Sequence, residues 1–202
     1  MRYADAGKAY AEADHISGEV GEAGNQAFSR ACLVNLDLEE GKLPVTGLLD
    51  RIEDAIQQAG KSNDAYSQSF ARIIKARLLL QANKVAEAGR EAQSAVDLAQ
   101  EDKQATNKVS AQIILAETKA RSGEVAEALA ELDRLKALTD HERNVGQNLE
   151  AQLTYLKVMK QAGQLQQRKD AAILLSEFQK DAQEKGYKLL AAKAQSIMHG
   201  KP

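Results

Sequence analysis

The stretch TKARSGEVAEALAELDRLKALT, residues 118–139, decides how the chain is read. A helical run ends on Gly123, an apolar residue follows at Val125, and a second helical run begins at once. Glycine enters the left-handed backbone region that stops a helix tightly, so the second run can fold back antiparallel on the first. Ala128 then sits where a larger side chain would hold the two helices apart. The same design recurs in LLLQANKVAEAGREAQSAVDLA (78–99) and VMKQAGQLQQRKDAAILLSEFQ (158–179). Their turn residues, Asn83 and Gly163, stand 40 residues to either side of Gly123, and an earlier member, Gly41 in LEEGKLPVTGLLDRI (38–52), precedes Asn83 by 42.

The surrounding residues keep the register. Ser29, Ala71, Ala111 and Ala151 recur twelve positions before each turn, and Ala31, Ile73, Ile113 and Leu153 recur ten before it, which gives each hairpin a buried seam. After the first turn, Pro44 suits a helix start, and Leu48, Ile52 and Ala55 fall 40 before Ala88, Ala92 and Ala95. Composition agrees: 44 % hydrophobic content supports a sizeable core, while 4 % aromatics, two prolines and abundant Ala, Leu, Gln, Glu and Lys favour helix over strand.

These residues resemble the tetratricopeptide repeat (TPR) family, whose signature is a helix, a Gly or Asn turn, an apolar residue and an alanine. SGEVAEALAELDRL (122–135) matches closely and ANKVAEAGREAQSA (82–95) well; the Gly41 turn is lengthened, and Arg168 replaces the alanine expected after Gly163. The 40-residue period resembles the long-helix variant found in bacterial signalling and regulatory proteins. The resemblance implies an all-α, right-handed TPR-like solenoid of antiparallel hairpins, non-catalytic and devoted to protein–protein interaction, with ligand sensing in a transcription regulator or kinase as the alternative. The expected division of 1–202 is a helix over 2–16, a flexible link SGEVGEAG, hairpins over 22–60, 64–101, 104–139 and 143–184, and a capping helix over 186–199 ending in HGKP.

Enzymatic readings fail on context. AIQQAGKS (55–62) misses the phosphate-loop pattern by one glycine and closes a helix, where the dipole disfavours an anion. His15, His141 and His199 share no ligand spacing, and neighbouring carboxylates such as Glu53 and Asp54 point apart on a helix. No cofactor or metal is expected. Cys32, the single cysteine, lies in the apolar run ACLVNL and reads as a small buried hydrophobe. Charges are near balance, 27 basic against 29 acidic, so no net field favours nucleic acid. No apolar run approaches the roughly 20 residues of a membrane span, and without a signal-peptide pattern the expected compartment is cytoplasmic.

A partner surface remains. In the family the first helices line a groove for a peptide or partner helix, and a groove-facing position six residues before each turn holds Asn35, Arg77, Glu117 and Lys157, with Arg121 and Lys160 nearby. Asn offers both donor and acceptor to a peptide backbone, and Arg or Lys pairs with carboxylates, so an acidic or C-terminal peptide is the expected partner. Residues 1–60 hold 11 acidic and 5 basic side chains, while 157–202 hold 9 basic and 4 acidic, a polarity that suits steering of an acidic partner or contact between copies. In the opening RYADAGKAYAEADHI (2–16), Tyr3 and Ala6 match Val125 and Ala128, while Tyr10 and Ala13 match Leu132 and Leu135. It is therefore expected to be the second helix of a truncated repeat in the C-terminal arm of a larger protein, open to further repeats or a second copy.

Overall fold

The computed structural model describes residues 3–41, 44–101, 107–165 and 167–199. It is all helical among these: α1 (Tyr3–Val20), α2 (Ala23–Glu40), α3 (Val45–Lys61), α4 (Ala65–Gln81), α5 (Val85–Glu101), α6 (Lys108–Arg121), α7 (Val125–His141), α8 (Val145–Gln161), α9 (Ala171–Glu184) and α10 (Lys188–His199). The start expected for the third hairpin, at 104, and most of the HGKP tail lie outside the described residues.

One device makes nearly every joint. Gly21, Gly41, Asn63, Asn83, Gly123, Arg143, Gly163 and Gly186 all adopt positive φ. At seven of them the next backbone N–H reaches the carbonyl five residues back, as in Lys84 to Leu79 (2.8 Å), Glu124 to Lys119 (3.0 Å) and Asn144 to Thr139 (2.8 Å). This satisfies carbonyls that a helix end leaves bare and turns the chain within three residues. The four turns read from sequence are thus shown, and the connections at Gly21, Asn63, Arg143 and Gly186 use the same geometry. Joints stand 20 to 22 residues apart as far as Gly163, with Asn83 and Gly123 separated by two such steps, and Gly186 is 23 beyond Gly163.

SGEVGEAG is not a flexible link. α1 continues through Val20, buries Ser17, and closes on a Glu22 N–H to Ser17 carbonyl bond of 2.9 Å. The phosphate-loop look-alike is indeed a helix end: it finishes α3, where the Ser62 hydroxyl donates to the Ala59 carbonyl at 2.9 Å.

The chain forms two compact units, Arg2–Thr118 and Lys119–Pro202. In the first, α2 packs on α1, α3 and α4, and α4 also packs on α3 and α5. Leu48, Ile52 and Ala55 meet Ala31, Val34, Ala71 and Ile74 in one cluster; Ala88, Ala92 and Ala95 meet Ile73, Ala76, Ala111 and Ile114 in another. The aligned small residues are fully enclosed, which is why they are small: Ala71, Ala88 and Ala111 have no exposed surface, so each added methylene would strain the packing. Lateral hydrogen bonds repeat as well. The Ser67 hydroxyl donates to the Gly24 carbonyl at 3.0 Å and the Asn107 amide to the Tyr66 carbonyl at 2.9 Å, tying α4 to α2 and the start of α6 to α4 at matching positions. Gly24 is required there, because a Cβ would meet Asp64 Oδ2 at 2.6 Å, and Asp64 caps α4 through the Tyr66 and Ser67 N–H groups.

In the second unit α7 packs on α8, and α10 packs on α9 and α8. Leu149, Leu153, Leu156, Met159, Leu175, Phe178, Ala191 and Ala194 share one core. α9 begins only at Ala171, because Arg168 occupies the place where Ala88 and Ala128 start the close contact elsewhere. Counted back from the next joint, Ala171 takes the position of Ala128.

Candidate functional site

The groove-register residues fall into both units, three in each. Asn35, Arg77 and Glu117 stand at one register on α2, α4 and α6. Asn35 and Arg77 are half-buried, whereas Glu117 is only 7 % exposed. The Asn35 side-chain oxygen is buried and accepts no hydrogen bond among the described residues. In the second unit Arg121 borders a recess of about 410 Å³ with Val125, Val158 and Gln161, Lys157 is half-buried on α8, and Lys160 donates from Nζ to the Ile197 carbonyl at 2.7 Å. Lys160 thereby satisfies the C-terminal end of α10, where a cation also suits the dipole.

One helical repeat before Asn35 and Arg77, hence on the same faces of α2 and α4, lie Phe28 and Phe70. Their ring centroids are 4.8 Å apart, and Tyr66 approaches Phe28 at 5.4 Å, tilted as aromatic quadrupoles prefer. All three are half-buried. Tyr10 on α1 is hydrogen-bonded to Cys32, four residues along the same face of α2 from Phe28. Burial pushes the Cys32 thiol up to about 11 against the opposing effect of Tyr10, so the thiol stays protonated and unreactive at neutral pH. Four of the eight aromatic residues thus gather on this part of the first unit. The cluster was legible in principle, since Phe28 and Phe70 both stand thirteen residues before a turn.

The other side of the first helices is also organised. Eleven residues before their turns, α2 and α4 each carry an arginine that reaches a neighbouring second helix. Arg30 meets Asp14 of α1 and Gln58 of α3, both at 2.8 Å. Arg72 meets Glu91 of α5 at 2.5 Å, and Lys75 lies 2.6 Å from Glu53 of α3 and 2.7 Å from Glu91. Glu53 is therefore an ion-pair partner. Burial alone would raise the Glu91 carboxyl, but hydrogen bonds from Lys75 and Arg72 hold it below its usual range; burial alone would lower Lys75, and Glu53 and Glu91 raise it instead.

On α8 the corresponding residues are Gln152, which bonds its own helix at Asn148, and Tyr155. Between α8 and α9 lies an open cleft of about 440 Å³ floored by Leu156, Met159 and Phe178. Lys136 and Arg168 stand on its rim, and Glu177 and Asp181 of α9 also line it.

Among the described residues no cluster of three or more His, Cys, Asp or Glu side chains could hold a metal, and no helix is long and apolar enough to cross a membrane.

The sequence matches no protein-family model and no curated protein. The fold resembles two crystal structures of nearly identical TPR-like repeats of a putative kinesin light chain from Podosopora anserina. One of them, a form carrying a single Gln-to-Met substitution, superposes with a TM-score of 0.56 at 17 % identity over 91 % of this chain and 88 % of that one; the other superposes at 0.53 with 18 % identity over 92 % and 90 %. At that identity the likeness concerns the fold, and the fold is TPR-like.

Proposed function

We propose that this TPR-like chain is a non-catalytic protein-interaction module, and that a short extended peptide binds the first-helix face of α2 and α4. Stacks of helical hairpins generally present such faces to proteins. The observation that carries the reading is the half-buried ring cluster of Phe28, Tyr66 and Phe70 one helical repeat from Asn35 and Arg77. Aromatic anchors beside a polar pair are what peptide grooves use: the rings supply contact area, and the polar groups set direction. Arg77 favours a carboxylate on the bound segment, and the Asn35 oxygen is an acceptor that a peptide N–H can engage once the side chain turns outward.

Peptides selected from a random displayed library against the 202-residue chain test this. Selected sequences should carry an apolar anchor and an acidic residue, and Phe70→Leu with Arg77→Glu should weaken them by about tenfold or more, with a cooperative thermal transition verifying that the variant is folded. Undiminished binding to the double variant would remove the face from consideration.

A further inference from the structure

The second unit carries a concavity on the opposite side of its first helix, and its origin is visible in the sequence. α8 ends at Gln161 and α9 starts at Ala171, whereas three-residue joints separate α4 from α5 and α6 from α7. The connection is anchored, since Leu165 is buried in the core and both Gln164 and Leu165 donate to the Met159 carbonyl, at 2.9 and 3.0 Å. α9 consequently meets α8 over a much shorter stretch than α7 does, and the cleft of about 440 Å³ opens beside it.

The matching groove between α3 and α5, over α4, is filled by Arg72, Lys75, Glu53 and Glu91. Over α8 those positions hold Gln152 for Arg72 and Tyr155 for Lys75, and Leu174 stands twelve residues before the Gly186 joint as Glu131, forty beyond Glu91, stands before Arg143. Among the described residues no ionic bridge closes the gap. Instead its lining carries both signs of charge around the apolar floor, Lys136 and Arg168 together with Glu177 and Asp181. The Lys136 ammonium lies 4.5 Å from the Tyr155 ring centroid, which fixes it at the rim. Its pair with Asp133 (2.9 Å), the Arg168–Asp170 pair (2.7 Å) and the Asp181–Lys185 pair (2.8 Å) all involve solvent-accessible groups. Such pairs contribute little and exchange readily for a ligand's charges.

We propose that this cleft docks a short extended peptide segment whose bulky apolar side chain rests on Leu156, Met159 and Phe178, flanked by a carboxylate facing Lys136 and Arg168 and a basic side chain facing Glu177 and Asp181. The volume suits a few residues of an extended chain. The bipolar rim demands both signs of charge on one ligand, which a peptide supplies. This surface is separate from the first-helix face of α2 and α4.

The capped tripeptide Ac-Glu-Phe-Lys-NH2, titrated into the full 202-residue chain and followed by amide NMR, is the probe. Saturable shifts are expected at Tyr155, Met159, Glu177 and Phe178, with Ac-Glu-Ala-Lys-NH2 weaker by about tenfold. Lys136→Glu with Arg168→Glu should weaken Ac-Glu-Phe-Lys-NH2 by at least about tenfold and should gain affinity for Ac-Lys-Phe-Lys-NH2. Arg168 is exposed and Lys136 half-buried, and an unchanged amide spectrum away from the cleft verifies the fold. Absence of saturable shifts, shifts confined to Phe28 and Phe70, or indifference to the charge reversal would each overturn the proposal. The second of these would still leave the first-helix face standing.

Discussion

The α3–α4–α5 and α7–α8–α9 trios have the same order of second, first and second helix, yet they close the groove between their outer members differently. In the former, α4 sends Arg72 and Lys75 outward to Glu91 and Glu53. In the latter, α8 offers Gln152 and Tyr155, α9 stands off, and Phe178 occupies the place of Ala55, counted from the following joint. A larger ring fills what closer backbones fill elsewhere. A repeat register therefore fixes where the helices turn, while a few side chains at one register decide whether a groove is sealed or open.

The largest expected effect tests the role of that ring. Phe178→Ala should cost about 3–5 kcal/mol, the range for an emptied core aromatic, because Phe178 is buried among Leu156, Met159 and Leu175. Hydrogen exchange should accelerate first in α8, α9 and α10. Uniform acceleration over all helices would show that the two trios do not differ in local stability.

Next in size is the sealed groove. Glu91→Ala leaves Arg72 and Lys75 without their shared acceptor and should cost roughly 1–3 kcal/mol, read from chemical denaturation. The pH dependence follows from the shifts. Glu91 sits below its ordinary value of 4.5, so its contribution is complete above that value and disappears as pH falls through the lowered one. Lys75 sits above 10.5, so its share is complete below that value and disappears as pH rises through the raised one. The parent should lose stability at both extremes, and Glu91→Ala should flatten the curve most on the acid side.

The contrast also marks what could be read from residues alone. Gly41, Asn83, Gly123 and Gly163 announce themselves because Gly and Asn tolerate positive φ, and every one adopts it. Arg143 carries no such chemical sign, although it lies midway between Gly123 and Gly163. Spacing finds it and composition does not. Arg168 signalled a departure after Gly163, but only the deferred start of α9 reveals that the departure opens a cleft. Registers of Asn35, Arg77, Glu117 and Lys157 were likewise legible. Their surroundings were not, since the burial of Glu117 and the engagement of Lys160 by Ile197 depend on neighbours distant in sequence.

Arg143 supplies a smaller test. A non-glycine residue in the left-handed region carries strain of about 1 kcal/mol or more, partly offset by the larger unfolded-state entropy of glycine. Arg143→Gly should therefore stabilise the chain by roughly 0.5 kcal/mol, visible as a small rise in melting temperature. A drop would mean that the Arg143 side chain contributes more than its backbone costs.

The smallest effect would sharpen the comparison most. Gln152→Arg with Leu174→Glu places on α8 and α9 the residue types that bridge α4 and α5. If the open groove results only from those side chains, the pair should form an ion pair like that of Arg72 with Glu91 and add only a few tenths of a kcal/mol, as exposed bridges do. The increment should shrink in high salt, and Ac-Glu-Phe-Lys-NH2 should lose its place. If stability and peptide shifts are both unchanged, the nine residues from Ala162 to Asp170, rather than the missing arginine and glutamate, hold α9 away. Shortening that connection toward a three-residue joint is then the change that should seal the groove.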